Sequence, residues 1–200
     1  FFYIFFNRKK LNNIMIYVGY PCVGKSSISG KNKNIDLESS NFFYHNKELN
    51  SVVRDNHSWI EIYVNIVEVL NKQGFNVFCS SHLGVVTELK KRNIQFCGIF
   101  PSEHLKDFWI KRAENRYNSN PSDKNKKALD GIKEHYTEDV LALKEMCDGN
   151  YIQLETCNYD LNEVITTLNR SNETYKFQHC ACCNASVSGY CPISTKIGCV

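Results

Sequence analysis

The most constraining feature of the sequence is an eight-residue pattern, Gly-x-x-x-x-Gly-Lys-Ser, which runs from Gly19 to Ser26. It directly follows a short apolar run, residues 14–18, which is typical of a strand buried on both faces of a sheet. The glycines allow the backbone to bend tightly and to bring several N–H groups close to one anion. A lysine and a hydroxyl follow at once, so the pattern predicts a loop that binds polyphosphate.

Two side chains of this loop have specific predicted tasks. Lys25 can reach the β- and γ-phosphates of a nucleotide, and the Ser26 hydroxyl can ligate Mg²⁺. The alternative is a glycine turn with a solvated lysine; four fixed positions recur by chance in roughly one in a hundred chains of this length. The strand pattern before the loop and the helix expected after it favour phosphate binding, because that helix would point its positive end at the anion.

Short apolar runs alternate with helical periodicity along the rest of the chain. Beyond the first strand, four runs predict strands, at residues 34–37, 75–79, 94–100 and 151–154. Apolar stripes predict the helices between them. One stripe consists of Ile62, Ile66, Val69 and Leu70, widened by Ile60, Tyr63 and Val67, and another of Ile132, Tyr136, Val140 and Leu143. Strands that alternate with helices indicate an α/β fold with a parallel sheet, whose ligands bind beyond the carboxyl ends of the strands.

The 200 residues suit one domain, which we place at residues 15–178. We interpret residues 1–14 as an N-terminal extension, since the first methionine is Met15; a short hydrophobic docking arm is the alternative. The apolar run at residues 1–6 is far shorter than the ~20 residues that span a bilayer, and the positive charge follows it rather than preceding it as in a signal peptide. We therefore expect no membrane partner.

The ten cysteines fall into two groups. Five are dispersed, several of them inside apolar runs where a free thiol acts as a small hydrophobe, so the body resembles a reduced, cytoplasmic protein. The other five lie in a Cys-rich tail, residues 179–200, which we expect to be disordered. The alternatives are a disulfide-linked tail and a metal knuckle built from His179, Cys180, Cys182, Cys183 and Cys191, although zinc sites usually show paired CxxC spacings.

Acidic side chains follow the second predicted strand. Asp36 and Glu38, one residue apart, could hold Mg²⁺ through water or accept a hydrogen bond from a substrate hydroxyl; an acidic loop that caps a helix is the alternative. The third strand ends in Ser80-Ser81-His82, where many phosphate-loop enzymes carry a metal-binding aspartate. The metal role therefore passes to Ser26 with Asp36 or Glu38. His82 could contact a phosphate or transfer a proton, or it could merely form a hydrogen bond.

A basic stretch occupies residues 106–133, with eight basic and four acidic side chains. Arg112 and Arg116 are four apart and share a helix face, where two guanidinium groups could clamp a transferring phosphoryl group. Residues 115–125 are rich in Asn and Ser and are interpreted as a mobile segment, hence a lid. The alternative is a solvated basic face. The overall charge of +3 is too small to indicate a nucleic-acid binder by itself.

With these features the chain resembles the nucleoside monophosphate kinase-like group of P-loop kinases, which includes adenylate, guanylate, shikimate and gluconate kinases, and the small nucleotide kinase-like proteins of bacteriophages and low-GC bacteria. The resemblance covers about residues 15–168 and is strongest at Gly19–Ser26. It implies a three-layer P-loop NTPase fold with a five-stranded parallel sheet and a helical lid, and ATP with Mg²⁺ as donor.

Carried over by position, the resemblance assigns a role to each candidate residue. The ATP-binding residues would be Gly19, Cys22, Val23, Gly24, Lys25, Ser26 and Ser27. The catalytic residues would be Lys25, Asp36, Arg112 and Arg116. Substrate would contact Asp36, Glu38 and His82, and Mg²⁺ would be held by Ser26 and Asp36.

We expect a phosphotransferase that moves the γ-phosphoryl group of ATP to a small acceptor, with a (deoxy)nucleoside monophosphate favoured. Two alternatives stay open: a nucleotide-binding module without efficient transfer, motivated by the missing aspartate, and a polynucleotide-end kinase or ATPase, motivated by the basic stretch. Nucleic acid is the less favoured partner. The chain could act as a monomer or a homodimer.

Overall fold

A computed structural model describes residues 4–7, 16–43 and 56–174 of the chain. The strands are β1 (Ile4–Asn7), β2 (Ile16–Gly19), β3 (Asn34–Asp36), β4 (Asn76–Ser80), β5 (Cys97–Pro101) and β6 (Tyr151–Leu154). The helices are α1 (Lys25–Ile28), α2 (Ser40–Phe43), α3 (Asn56–Lys72), α4 (Leu83–Lys91), α5 (Lys106–Ser119), α6 (Asp123–Met146) and α7 (Leu161–Thr174), and a 3₁₀ turn spans Glu103–Leu105. The Cys-rich tail lies outside the described residues.

The strands form one six-stranded sheet in the order β1-β6-β5-β2-β4-β3. Strands β2 to β6 all run parallel, which confirms the predicted α/β fold and its five-stranded parallel sheet and is compatible with a three-layer arrangement. The sequence did not indicate β1, which pairs antiparallel with β6 and comes from the segment interpreted as an extension. The boundary at residue 15 stays a prediction.

The strand order places a topological switch point at β2. After β2 the chain builds β3 and β4 on one side, then crosses to build β5 and β6 on the other. Gly19, the last residue of β2, is in register with Ser80 of β4 and Ile99 of β5. In open parallel sheets ligands bind outside the carboxyl ends of the strands at such a point, so the topology puts the glycine-rich loop where a ligand site is expected.

The predicted burial of the central strand is confirmed: Ile16, Tyr17 and Val18 of β2 are at most 1% exposed. The stripe predicted for α6 is confirmed as well, since Ile132, Tyr136, Val140 and Leu143 are all buried.

The stripe predicted for α3 is confirmed only in part, because its buried members are those that widen it and not those at its centre. Ile62 and Val69 are 42% and 53% exposed, whereas Trp59, Tyr63 and Val67 are fully buried. The large aromatic rings bury more area than an aliphatic side chain, so the helix turns them toward the core.

The segment at residues 115–125, interpreted from the sequence as a mobile segment and hence a lid, is mostly helical. Helix α5 continues to Ser119 and α6 begins at Asp123, so the connection is short. The Ser122 hydroxyl accepts from the backbone N–H of Asn125 as an N-cap, and the buried Asn125 side chain donates to the carbonyl of Asn120 at 2.7 Å. Helix α5 packs on α6, and the short connection between them is typical of a hairpin of two helices.

The dispersed cysteines are free thiols, as predicted: Cys79, Cys97 and Cys147 are buried, and Cys22 and Cys157 are half-buried. Burial raises the pKa of the Cys79 and Cys147 thiols to about 12, so both are inert. Within the residues that the structure describes, no helix combines the length and apolar character needed to cross a membrane.

Candidate functional site

A cavity of about 410 Å³ opens at the carboxyl ends of β2, β3 and β4. It is lined by the loop after β2, by the residues that follow β3, by the end of β4, and by one face each of α5 and α6. The charged lining residues are Lys25, Asp36, Glu38, Arg112, Arg116 and Lys124. The structure therefore brings together around one cavity the loop, the acidic pair and the two arginines that the sequence singled out separately.

The loop after β2 has a backbone that needs its glycines. Gly19 has no room for a side chain, because a Cβ there would lie 2.8 Å from Cδ of Lys25 and 3.0 Å from Cγ2 of Val23. Gly24 has a φ of +96°, which residues with a Cβ rarely adopt. Cys22 also has a positive φ, of +66°, a conformation that costs about 1–2 kcal/mol. Strain of this kind persists where the surroundings fix the backbone.

The helix that follows the loop, α1, is shorter than expected. It has only four residues, Lys25–Ile28, so it adds little to the positive potential of the loop. The full positive charges around the cavity are therefore those of side chains, namely Lys25, Arg112, Arg116 and Lys124.

The half-buried Lys25 folds back across the loop. Its Nζ donates to the carbonyl oxygen of Gly19 at 2.6 Å and to that of Tyr20 at 3.4 Å. Burial lowers the pKa of Lys25, and the carboxylates of Asp36 and Glu38 partly oppose that shift. An anion in the cavity would favour the charged form of Lys25 and compete with the loop carbonyls for its ammonium group.

Ser26 and Asp36 form the candidate Mg²⁺ site. The Ser26 hydroxyl donates to Oδ2 of Asp36 at 2.7 Å, and the Asp36 backbone N–H donates to the Ser29 hydroxyl at 3.1 Å. No cluster of three His, Cys, Asp or Glu side chains occurs within residues 4–7, 16–43 and 56–174. Mg²⁺ does not require one, since beside phosphates it takes one or two protein ligands and keeps several waters. The adjacent hydroxyl and carboxylate thus fit this ion.

Glu38 forms an ion pair with Lys124 at the start of α6. Burial alone would raise the pKa of Glu38, but the hydrogen bond and charge of Lys124 bring it below its ordinary value. The pair joins the segment after β3 to α6 across the cavity. The sequence had placed Lys124 only in the general basic stretch.

The end of β4 contributes hydroxyls instead of a carboxylate. Ser80 and Ser81 both line the cavity, and the carboxylate of Asp36 stands at the end of the neighbouring strand, β3. The buried Tyr63 of α3 joins these two strand ends: its hydroxyl donates to the carbonyl of Leu37 at 2.6 Å and accepts from the N–H of Ser80 at 3.0 Å. No pattern in the sequence indicated these two hydrogen bonds of Tyr63.

The two arginines of α5 both line the cavity, each with a different neighbour. Arg116 donates from Nη1 to the thiol sulfur of Cys22 at 3.8 Å. The guanidinium of Arg112 lies over the rings of Trp109 and Tyr159, 5.4 and 5.5 Å from their centroids.

His82 is not among the residues that line the cavity. Its Nδ1 accepts from the backbone N–H of Gly84 at 3.3 Å and caps α4, and its ring meets the edge of Trp59 at 5.2 Å between centroids. Burial lowers its pKa. In the structure His82 therefore caps a helix. Its contact with substrate stays a prediction.

Comparisons of the chain with family models, with curated proteins and with solved structures find no match. The resemblance to P-loop kinases therefore stays a prediction, and a functional argument must rest on the residues of this chain alone.

Proposed function

We propose that the chain is an ATP-dependent phosphotransferase that moves the γ-phosphoryl group of ATP, with Mg²⁺, to a small acceptor, and that the acceptor is a (deoxy)nucleoside monophosphate. The observation that carries the proposal is one cavity in which a glycine-rich loop, a hydroxyl–carboxylate pair and two arginines converge. Phosphoryl transfer has three requirements that these features would meet. The loop would cradle the phosphates, the hydroxyl–carboxylate pair would hold the metal, and the arginines would neutralise the transferred group.

The chemistry demands positioning and charge more than covalent work by the protein. The bond between the γ-phosphorus and the β–γ bridging oxygen breaks, and an acceptor oxygen forms the new bond to phosphorus. Lys25 would leave the carbonyls of Gly19 and Tyr20 and bind the phosphates, so that its charge compensates the leaving group. Arg112 and Arg116 would bind the oxygens of the transferred group.

The carboxylates have separate tasks in this proposal. Ser26 and Asp36 would hold Mg²⁺, which when bound neutralises phosphate charge. Glu38 lines the cavity after β3, next to Ser39 and paired with Lys124 of α6, and it would contact the acceptor. Lys124 would then exchange its carboxylate partner for a phosphate of the acceptor.

The test replaces the loop lysine. Lys25→Met keeps the length of the side chain and removes its charge, and we expect ADP release in the presence of nucleoside monophosphates to fall by at least a hundredfold, because both phosphate binding and leaving-group neutralisation lose a cation. Lys111→Ala is the matched control, since Lys111 lies on the same helix as the arginines, is exposed and does not line the cavity. Equal turnover by the wild type and Lys25→Met would overturn the proposal.

A second candidate is a nucleotide-binding module without efficient transfer. The observation that favours it is Ser80, which stands at the end of β4 where an acidic metal ligand is usual. Tight nucleotide binding by the wild type, with no product across a panel of monophosphates and hydroxylated acceptors, would decide for this candidate.

A further inference from the structure

Two aromatic side chains from distant parts of the chain contact the backbone of the glycine-rich loop at Gly19–Ser26, called the phosphate loop from here on. Trp109 of α5 is fully buried and donates from Nε1 to the carbonyl of Pro21 at 2.8 Å. Tyr159, between β6 and α7, donates from its hydroxyl to the carbonyl of Val23 at 3.0 Å. The two rings are almost parallel, with an interplanar angle of 3° and centroids 6.4 Å apart.

These hydrogen bonds occupy the two carbonyls that flank Cys22. A carbonyl oxygen that faced the cavity would repel a phosphate, because both carry negative charge. Neither Trp109 nor Tyr159 lines the cavity, so each binds its carbonyl from outside it. The bonds also hold the loop on both sides of the strained Cys22, whose φ is +66°.

The same two rings position Arg112. Its guanidinium carbon lies over both of them, at 5.4 and 5.5 Å from the centroids, distances at which a cation is attracted to the ring face. A Cβ placed on Gly24 would lie 4.0 Å from Nη2 of Arg112, so the guanidinium stands directly beside the loop. The rings thus hold a cation against the loop while they hold the loop itself.

We infer that Trp109 and Tyr159 are positioning residues, an aromatic clamp that fixes the phosphate loop and Arg112 in their binding geometry before a polyphosphate arrives. A site fixed in advance spends less binding energy on ordering its parts, so the clamp raises the affinity for polyphosphate. The inference rests on the part of the proposed function that brings polyphosphate to the loop, and it does not depend on phosphoryl transfer.

The test compares two tyrosine hydroxyls. Tyr159→Phe removes the bond to Val23 and keeps the ring beneath Arg112. Tyr136→Phe is the control, because the Tyr136 hydroxyl also donates to a backbone carbonyl, that of Ser102 at 2.9 Å, which lies outside the loop. The substitution keeps the ring of residue 136 and its edge-on contact with Tyr20 of the loop. The dissociation constants of MgADP and of inorganic tripolyphosphate are measured by calorimetry well below the unfolding temperature, where a purely structural defect leaves binding by the folded protein unchanged.

We expect Tyr159→Phe to weaken both ligands by about 2- to 12-fold, the loss of one hydrogen bond, and Tyr136→Phe to leave both unchanged. Tyr159→Leu, which also removes the ring, should weaken binding by a further factor of about two or more. That further loss should vanish in an Arg112→Ala background, because the ring acts through Arg112.

The outcomes separate this inference from the proposed function. Unchanged affinity in Tyr159→Phe and Tyr159→Leu, in a protein that transfers phosphoryl groups, overturns the clamp alone. Weakened affinity in a protein that transfers none supports the clamp and overturns the phosphotransferase. A wild type that binds neither MgADP nor tripolyphosphate overturns both.

Discussion

The loop after β2 requires glycine at positions 19 and 24 for different physical reasons. At Gly19 the limit is space, because the side chains of Lys25 and Val23 lie where a Cβ would be. At Gly24 there is space for a Cβ, whose contacts would be at ordinary distances, but the backbone φ of +96° disfavours any residue that has a side chain. A substitution at Gly19 therefore acts on the packing of Lys25 and Val23, while one at Gly24 acts mainly on the stability of the loop.

Gly19→Ala should weaken MgADP binding by about tenfold or more, since the new methyl group would lie 3.0 Å from Cγ2 of Val23 and must shift that part of the loop, and displacements of about 1 Å at such sites are costly. Calorimetry of the folded variant measures the effect. Gly131→Ala in α6 is the control: a Cβ there meets nothing within 4 Å, so it should raise the free energy of unfolding by about 0.5–1 kcal/mol and leave binding unchanged. Wild-type affinity in Gly19→Ala would contradict this account of the loop.

The sequence predicted the residues of the loop but not those that support it. The pattern at Gly19–Ser26 is local, so the residue types alone indicate the conformation and the chemistry. Trp109 and Tyr159 reach the loop from 88 and 136 residues away, and no spacing in the sequence encodes such contacts. The hydroxyl of Tyr63 escaped notice for the same reason, since periodicity reports that a side chain is buried and not what its polar atom binds.

At the scale of elements, α4 shows the structural contact that His82 makes, which is the hydrogen-bonding role that the sequence left open beside a chemical one. Helix α4 has nine residues and begins directly after His82, whose unprotonated Nδ1 accepts from the N–H of Gly84. Protonation would replace that acceptor with a donor. The lowered pKa of His82, caused by burial, agrees with a neutral ring in the folded protein.

This cap predicts a pH dependence of stability. Because the folded pKa of His82 is lowered from 6.5, the unfolded chain binds the proton more readily, and stability is lost as the pH falls through that value. His82→Asn keeps a capping oxygen and does not titrate. The free energy of unfolding in urea at pH 7 and pH 5 should therefore fall more in the wild type than in His82→Asn, and equal falls would contradict the cap.

The elements also show where periodicity is reliable. The stripe of α6 was predicted correctly, because its four apolar residues lie on one face of the helix and that face is buried. Helix α3 has apolar residues on more than one face, and the choice between them depended on which side chains fill the core against the sheet. The segment at residues 115–125 is mostly helical in spite of its Asn, Ser and Pro residues, because such residues cap helices as readily as they form loops.

At the scale of the whole molecule, the sequence predicted a parallel α/β sheet because strand and helix patterns alternate. It did not predict the order of the strands, which depends on long-range pairing, nor the sixth strand, β1. The order matters for function, because it puts β2 at the switch point and gathers the loop, the carboxylates and the α5 arginines at one edge of the sheet. The cavity has four cationic and two carboxylate side chains in its lining, so much of the small net charge of +3 lies at the site.

The central claim is that this cavity binds the polyphosphate of a magnesium nucleotide through the glycine-rich loop. The most direct measurement is the change in backbone amide resonances of ¹⁵N-labelled protein when MgADP is added. The account predicts that the largest changes fall on residues 19–27 and that Lys25→Met abolishes them at the same nucleotide concentration. Changes confined to other parts of the chain, with the amides of residues 19–27 unmoved, would contradict it.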